Sequence, residues 1–145
     1  MDYTEFVKLT RHVIKYELVI RAAIREARID RQRKQGSGGH VPGRVSKPTE
    51  VAAIANLTPI KTVFYKIGAK KQSYRLDEPE KWLEAIESVR KTLSERDKAF
   101  MDTAFSSPDW SVCADFRLSR PTFYSMKTDL TSRVALAAAC LGLKK

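Results

Sequence analysis

The segment 94–130 contains three helix starts in close succession, and their spacing constrains the fold more than any other feature of the chain. Ser94 with Asp97 three residues later forms a variant of the capping box. Ser107 followed by Pro108 is typical of a helix cap and a first-turn proline. Ser119 is typical of a third cap, because its hydroxyl can accept a hydrogen bond from a free backbone N–H. We therefore predict three consecutive short helix starts here.

The second and third of these helices have the spacing of a helix-turn-helix, in which two short helices cross over a turn of three or four residues. Cys113, six residues before Ser119, is the small residue that the close crossing requires. Arg117 stands where such turns commonly have glycine, so we expect either strain of about 1 kcal/mol or a wider turn. Five apolar residues lie at the offsets that fill the angle between the helices: Val112, Phe116, Leu118, Phe123 and Met126.

One polar face is left on the third helix after the apolar positions are assigned. In a helix-turn-helix the N-terminal residues of this helix contact base edges in the DNA major groove. Arg120 is the strongest candidate, since an arginine can bind guanine through two hydrogen bonds. The predicted base-contacting residues are Ser119, Arg120, Thr122, Tyr124, Ser125 and Thr128.

The net charge favours the same interpretation. The chain has a formal net charge of +10, with 27 Lys and Arg against 17 Asp and Glu. A surplus of this size favours a polyanionic partner, most simply double-stranded DNA. Residues 1–47 hold 11 of the cations and only 5 of the acids. The basic residues of this segment fit a row of phosphate contacts and a solvated helix face equally well. The predicted phosphate-contacting residues are Arg21, Arg25, Arg28, Arg33, Lys34, Arg44, Lys47, Arg117 and Lys127.

The order of the segments predicts a mainly α protein. Residues 1–32 form a long basic amphipathic helix with no glycine or proline, and residues 33–49 form a Gly/Pro-rich basic loop or linker. Residues 50–93 hold a short helix, a candidate β-hairpin and a helix around Trp82, and residues 94–145 hold the helix-turn-helix bundle. A single helix of about 20 residues continues from the recognition face, and its apolar end fits the protein's own core or a second subunit.

Residues 60–76 leave two alternatives open. Segment 60–65 is rich in β-branched and aromatic residues, segment 73–76 resembles it, and Gly68 to Gln72 between them suits the turn of a hairpin. The rival interpretation places two helices, and a second helix-turn-helix, between Pro48 and Ile67. A hairpin here would expose further cations to phosphates, namely Lys61, Lys66, Lys70, Lys71 and Arg75.

Catalytic and metal-binding motifs are lacking in the sequence, so we expect no enzyme, no metal and no cofactor. His12 and His40 lie far apart, and no glycine-rich loop precedes a Lys-Ser/Thr pair. Cys113 and Cys140 lack ligand spacing and are interpreted as reduced thiols.

No apolar run approaches the roughly 20 residues of a membrane span, and the first residues do not form a secretion signal. We expect a cytoplasmic protein with no membrane partner.

Three motifs of the chain are specific enough to compare with known families: Ser119-Arg120-Pro121-Thr122-Phe123-Tyr124, the Val-Ala-Leu-Ala-Ala end and Pro79-Glu80-Lys81-Trp82. With these motifs the chain resembles the RinA/ArpU-like transcriptional regulators of phages that infect Gram-positive bacteria. The resemblance implies an activator of phage late genes, which encode packaging and structural proteins, acting in the bacterial host cell. It also implies a helix-turn-helix similar to the promoter-reading region of sigma factors. The family pattern expected around the third cap is Ser-Lys-Ser-Thr, whereas this chain has Ser-Arg-Pro-Thr.

The expected function is therefore sequence-specific DNA binding that regulates transcription. One alternative is a protein that recognises DNA for packaging, like a small terminase subunit. Another is a basic module that binds an acidic protein partner such as bacterial RNA polymerase. A homodimer is compatible with either, and a palindromic target sequence would favour it.

Overall fold

The computed structural model describes residues 1–37 and 58–144 of the chain. In these ranges it contains six helices and one two-stranded antiparallel sheet, so the predicted class, mainly α with a small hairpin, is confirmed. The elements are α1 (Tyr3–Lys15), α2 (Glu17–Ser37), β1 (Thr62–Ile67), β2 (Gln72–Asp77), α3 (Pro79–Arg90), α4 (Glu95–Ala104), α5 (Asp109–Phe116) and α6 (Arg120–Cys140). The predicted Gly/Pro-rich loop over residues 33–49 is wrong for residues 33–37, which continue α2 to Ser37, since a single glycine in a helix costs only about 1 kcal/mol and does not end it. Residues 38–49 of that loop and the predicted short helix over residues 50–56 lie outside the described residues.

The long N-terminal helix is interrupted, and the prediction of one continuous helix over residues 1–32 was wrong. α1 ends at Lys15, and Tyr16 leaves the helical region with φ −107° and ψ 25°. α2 begins directly afterwards at Glu17. No glycine or proline marks this break. It lies where the Glu17 carboxylate forms two hydrogen bonds with Arg90 of α3, at 3.0 and 2.8 Å. The break therefore has no local signal in the sequence and coincides with a contact between residues that are far apart in the chain.

Met1–Glu17 and Lys81–Lys145 form one compact unit of the chain. Its core contains Phe6 of α1 against Trp82 of α3, with ring centroids 5.5 Å apart and both side chains almost fully buried. α1 also packs against α6. On α6 the residues Val134 and Ala138 are completely buried, so that apolar seam is covered by the protein's own chain.

Leu18–Glu80 form the second compact unit, which contains the hairpin. β1 and β2 pair in the register that runs from Thr62 opposite Asp77 to Ile67 opposite Gln72. The hairpin alternative for residues 60–76 is therefore correct and the two-helix alternative is wrong. Val63, Tyr65 and Leu76 are buried along one face, in the alternation typical of a strand with one covered side. Gly68, with φ +80°, begins the turn.

Two of the three predicted caps in the C-terminal region are observed. Ser94 accepts from the backbone N–H of Asp97, and Ser119 accepts from that of Thr122. Ser107 is not the cap of α5, which was a wrong prediction: Pro108 occupies that position, without a side-chain hydrogen bond, and the helix begins at Asp109. The proline has φ −59° and ψ 143°, an extended conformation that suits a residue preceding a helix.

No helix in the described parts of the chain has the length and apolar character needed to cross a lipid bilayer. α6, which has 21 residues, is one of the two longest helices described. As predicted, it is a single helix that continues from the polar face into the apolar seam.

Candidate nucleic-acid interface

The turn between α5 and α6 consists of three residues, Arg117 to Ser119, as a helix-turn-helix requires. Arg117 adopts the left-handed conformation, with φ 54° and ψ 49°. Its N–H approaches the carbonyl of Ala114 at 3.4 Å, and the N–H of Leu118 donates to the carbonyl of Cys113 at 2.9 Å. This is the Schellman arrangement that normally places glycine at the left-handed position. Of the two alternatives for Arg117, the strained turn is correct and the wider turn is not.

The Schellman arrangement recurs at the end of α6, where glycine occupies the left-handed position. Gly142 has φ +81°, and the N–H of Leu143 donates to the carbonyl of Ala138 at 3.0 Å. A non-glycine residue in this conformation costs about 1 kcal/mol. Glycine thus occupies the left-handed position after α6, whereas an exposed arginine occupies it in the turn before α6.

Replacing Arg117 with glycine should stabilise the protein. We expect the free energy of unfolding to rise by about 0.5–1 kcal/mol, since the left-handed conformation is no longer strained, although glycine also gains entropy in the unfolded chain. Urea denaturation measures the change. Arg117→Ala is the control, because it removes the guanidinium but keeps the strain. A glycine variant no more stable than the alanine variant would show that the turn carries no strain.

Three phenylalanine rings fill the angle between α4, α5 and α6. Phe100 lies 5.6 Å from Phe116 and 5.8 Å from Phe123 between ring centroids, both in edge-to-face geometry. Phe100 and Phe123 are completely buried, and Val112 is almost so. Arg96 of α4 donates to the carbonyl of Phe116 at 2.6 Å, which satisfies one of the free carbonyls at the end of α5. These contacts fix α5 and α6 on a common support.

The side chains predicted to contact bases are all exposed. Arg120 begins α6, and no side-chain partner is found for Arg120, Ser125 or Thr128 among the described residues. These three side chains are therefore available to an external ligand. The exposed set consists of Ser119, Arg120, Thr122, Tyr124, Ser125 and Thr128.

The other three members of this face already have hydrogen bonds. The Ser119 hydroxyl donates to the Thr122 hydroxyl at 2.9 Å while it caps the helix, so both groups belong to the cap as well. The Tyr124 hydroxyl donates to Asp109 of α5 at 2.6 Å. This hydrogen bond raises the pKa of Tyr124, and the negative charge of Asp109 adds to the effect. Tyr124 would have to exchange Asp109 for any base it contacted.

The predicted phosphate-contacting residues fall into three groups. Arg117 and Lys127 belong to the same compact unit as the exposed face of α6, while Arg21, Arg25, Arg28 and Arg33 belong to the other unit. Arg25 and Arg33 are exposed, whereas Arg28 forms an ion pair with Glu80. Outside the described residues are Arg44, Lys47 and the side chain of Lys34.

Two exposed features were not among the predicted contact residues. Trp110 was not predicted from the sequence, and the hairpin cations were made to depend on the hairpin alternative. Trp110 of α5 is 72% exposed, next to Asp109 in the chain. Its position two residues before Val112 was the available signal, because that spacing places it off the buried face of a helix. The hairpin cations Lys61, Lys66, Lys70, Lys71 and Arg75 are all exposed.

The described residues contain no cluster of three or more side chains that could hold a metal ion. Cys113 and Cys140 are free thiols. No family model, curated protein or solved structure matches the chain. The RinA/ArpU-like resemblance therefore stays a prediction.

Proposed function

We propose that this protein is a sequence-specific DNA-binding regulator of transcription in which α6 is the recognition helix. The observation that carries the proposal is the exposed polar face at the start of α6, directly after a three-residue turn from α5. A helix presented in this way fits the major groove, which is about 12 Å wide. The surplus of positive charge would supply the phosphate affinity that positions the helix.

Arg120 is the proposed specificity residue. It begins α6, it is exposed, and no partner holds its guanidinium among the described residues. Ser125 and Thr128 are the next unpartnered positions along the helix. Phosphate contacts are proposed for Arg117 and Lys127 beside the helix, and for Arg25 and Arg33 from the second unit. Arg28 is left out, because Glu80 already neutralises its charge.

Selection of bound sequences from a randomised DNA duplex pool tests the proposal. We expect one consensus sequence to be enriched, and duplex binding to weaken steeply as salt is raised. A pool that enriches no sequence would contradict sequence-specific recognition. Binding that is absent even at low salt would favour the alternative in which the basic surface contacts a protein.

Replacing Arg120 with alanine should weaken binding to the selected site by about 1–3 kcal/mol, because a bidentate contact with guanine is lost. The loss should be confined to the consensus, so discrimination between the consensus and a random duplex decreases. Fluorescence anisotropy with both duplexes measures it. Arg133→Ala is the matched control, since it removes one cation from the same helix, more than two turns further on. An equal loss on both duplexes would remove Arg120 from base recognition.

The finer proposal, an activator of phage late genes in the bacterial host, derives from the sequence resemblance. A reporter with the selected site upstream of a weak promoter, in a Gram-positive host, tests it. We expect transcription to rise with the protein and to return to its basal level with Arg120→Ala. Repression of the reporter would contradict the activator role while leaving DNA recognition intact.

A further inference from the structure

A cationic cleft lies between α1 and α6 within one compact unit of the chain. It has a volume of about 320 Å³ and is lined by Arg11, His12, Lys15 and Tyr16 of the N-terminal segment, Phe105 and Lys127. Four of these six residues are basic and none is acidic. A cleft of this composition has a positive electrostatic potential, which favours an anion.

Aromatic rings hold two of the cations in place. The Lys127 ammonium lies over the rings of Phe105 and Phe123, at 5.3 and 5.6 Å from their centroids. The Lys15 ammonium lies 5.3 Å above the ring of Tyr16. Such contacts attract a cation but leave its charge uncompensated by any anion. Among the described residues, Arg11, Lys15 and Lys127 form no ion pair.

His12 also lines this cleft. Burial lowers the pKa of His12, and the neighbouring charge of Lys15 lowers it further. Basic residues in the last turn of a helix commonly offset the helix dipole, and this would account for His12 and Lys15 alone. It does not account for Lys127, which comes from a different helix and lines the same cleft.

The position of the cleft along α6 indicates its ligand. Arg120, Tyr124 and Lys127 are four and three residues apart, so they share one side of the helix. Lys127 lies seven residues after Arg120, about 10 Å further along the axis at 1.5 Å per residue. With Arg120 at a base edge on the floor of the major groove, a phosphate at its border lies roughly 10 Å away, since the groove is about 12 Å wide and about 8.5 Å deep.

We propose that Arg11, Lys15 and Lys127 form a binding site for one backbone phosphate of duplex DNA, at the edge of the groove that α6 enters. This inference depends on the proposed function and adds Arg11 and Lys15 of α1 to the interface. The site is sequence-independent: it fixes the depth and direction of α6 and does not discriminate between bases.

The double variant Arg11→Ala/Lys15→Ala tests the site through the salt dependence of duplex binding. Neutralising one phosphate contributes about 0.9 to the slope of log K against log salt concentration. We expect the slope to decrease by about that amount, and affinity to fall by the same factor on the consensus and on random duplex. Lys91→Ala/Arg133→Ala, which removes one exposed lysine and one exposed arginine that do not line the cleft, is the control for net charge. The charge-preserving variant Arg11→Lys/Lys15→Arg should restore most of the slope.

Titration with inorganic phosphate, followed by NMR of the His12 imidazole, tests the cleft without DNA. We expect the His12 signals to shift in the wild type and not in the double alanine variant, with sodium chloride at equal ionic strength as the reference. Unchanged signals, together with a salt slope equal to that of Lys91→Ala/Arg133→Ala, would overturn the site while leaving DNA recognition by α6 intact. If the wild type binds no duplex but its His12 signals shift, the proposed function and the DNA source of the phosphate both fall.

Discussion

Replacing Phe123 with alanine is expected to lower the free energy of unfolding by about 3–5 kcal/mol, which is typical of removing a buried aromatic ring from a core. The Phe123 side chain is completely buried and contacts the ring of Phe100 edge to face. It also forms part of the surface on which the Lys127 ammonium rests. Its loss would leave a cavity where α6 packs against α4 and α5. Surrounding side chains relax only partly into such a cavity.

Urea denaturation followed by circular dichroism measures this change. Phe123→Leu should cost less than the alanine variant, because leucine refills much of the volume. Ser125→Ala, at an exposed position of α6 with no side-chain partner among the described residues, should leave the core packing unchanged. If Phe123→Ala cost less than about 1 kcal/mol, the three-ring cluster would not be what holds α6 against α4 and α5.

Replacing Arg90 with methionine is expected to lower the free energy of unfolding by about 2–3 kcal/mol, because three carboxylates would lose their common cation. Arg90 forms two hydrogen bonds with Glu17 and further ion pairs with Glu87 and Asp102. The Arg90 and Glu17 side chains are only 20% and 12% exposed. These contacts raise the pKa of Arg90 above its usual range, chiefly through the hydrogen bond with Glu17.

This expected cost lies below that of a fully buried pair, since the Arg90 Nε is buried without a hydrogen-bond partner in the described structure. Thermal and urea unfolding of Arg90→Met, Glu17→Leu and the double variant form a double-mutant cycle. We expect the double variant to recover part of the stability, because no charge is then left unpaired at Glu17. Arg133→Ala, which breaks the exposed ion pair with Asp129, should cost less than about 1 kcal/mol. Equal costs at Arg90 and Arg133 would contradict the network's role.

The helix-turn-helix was predictable because its signals are local. Ser94 and Ser119 cap the helices that follow them, and the apolar residues lie at spacings that only one helix face can bury. The exposure of Arg120 follows from the same periodicity, since the positions that face the core are occupied by Phe123 and Leu130. The alternating pattern on either side of Gly68 likewise favoured the hairpin, although the helical alternative had similar local support.

The partners of the charged residues were not predictable. Arg28 and Arg25 look alike in the sequence, yet the first pairs with Glu80 and the second is exposed. Ion pairs between residues far apart in the chain depend on which helix faces meet, and no local spacing encodes that. The missed cap at Ser107 has a different cause: α5 begins one residue later than expected, at Asp109, with Pro108 preceding it. Boundaries of short helices are set within one or two residues by tertiary contacts.

The amino-acid sequence by itself determined the three C-terminal helices, the caps at Ser94 and Ser119 and the polar face of α6, because each depends on side chains within one or two turns of one another. Only the tertiary structure decided that the first helix is interrupted at Tyr16, that Arg117 adopts the conformation glycine usually takes, and that Arg11 and Lys15 line a cleft with Lys127. The cleft depends on packing between segments more than a hundred residues apart. The free energy that fixes it comes from long-range contacts that no short window of sequence contains.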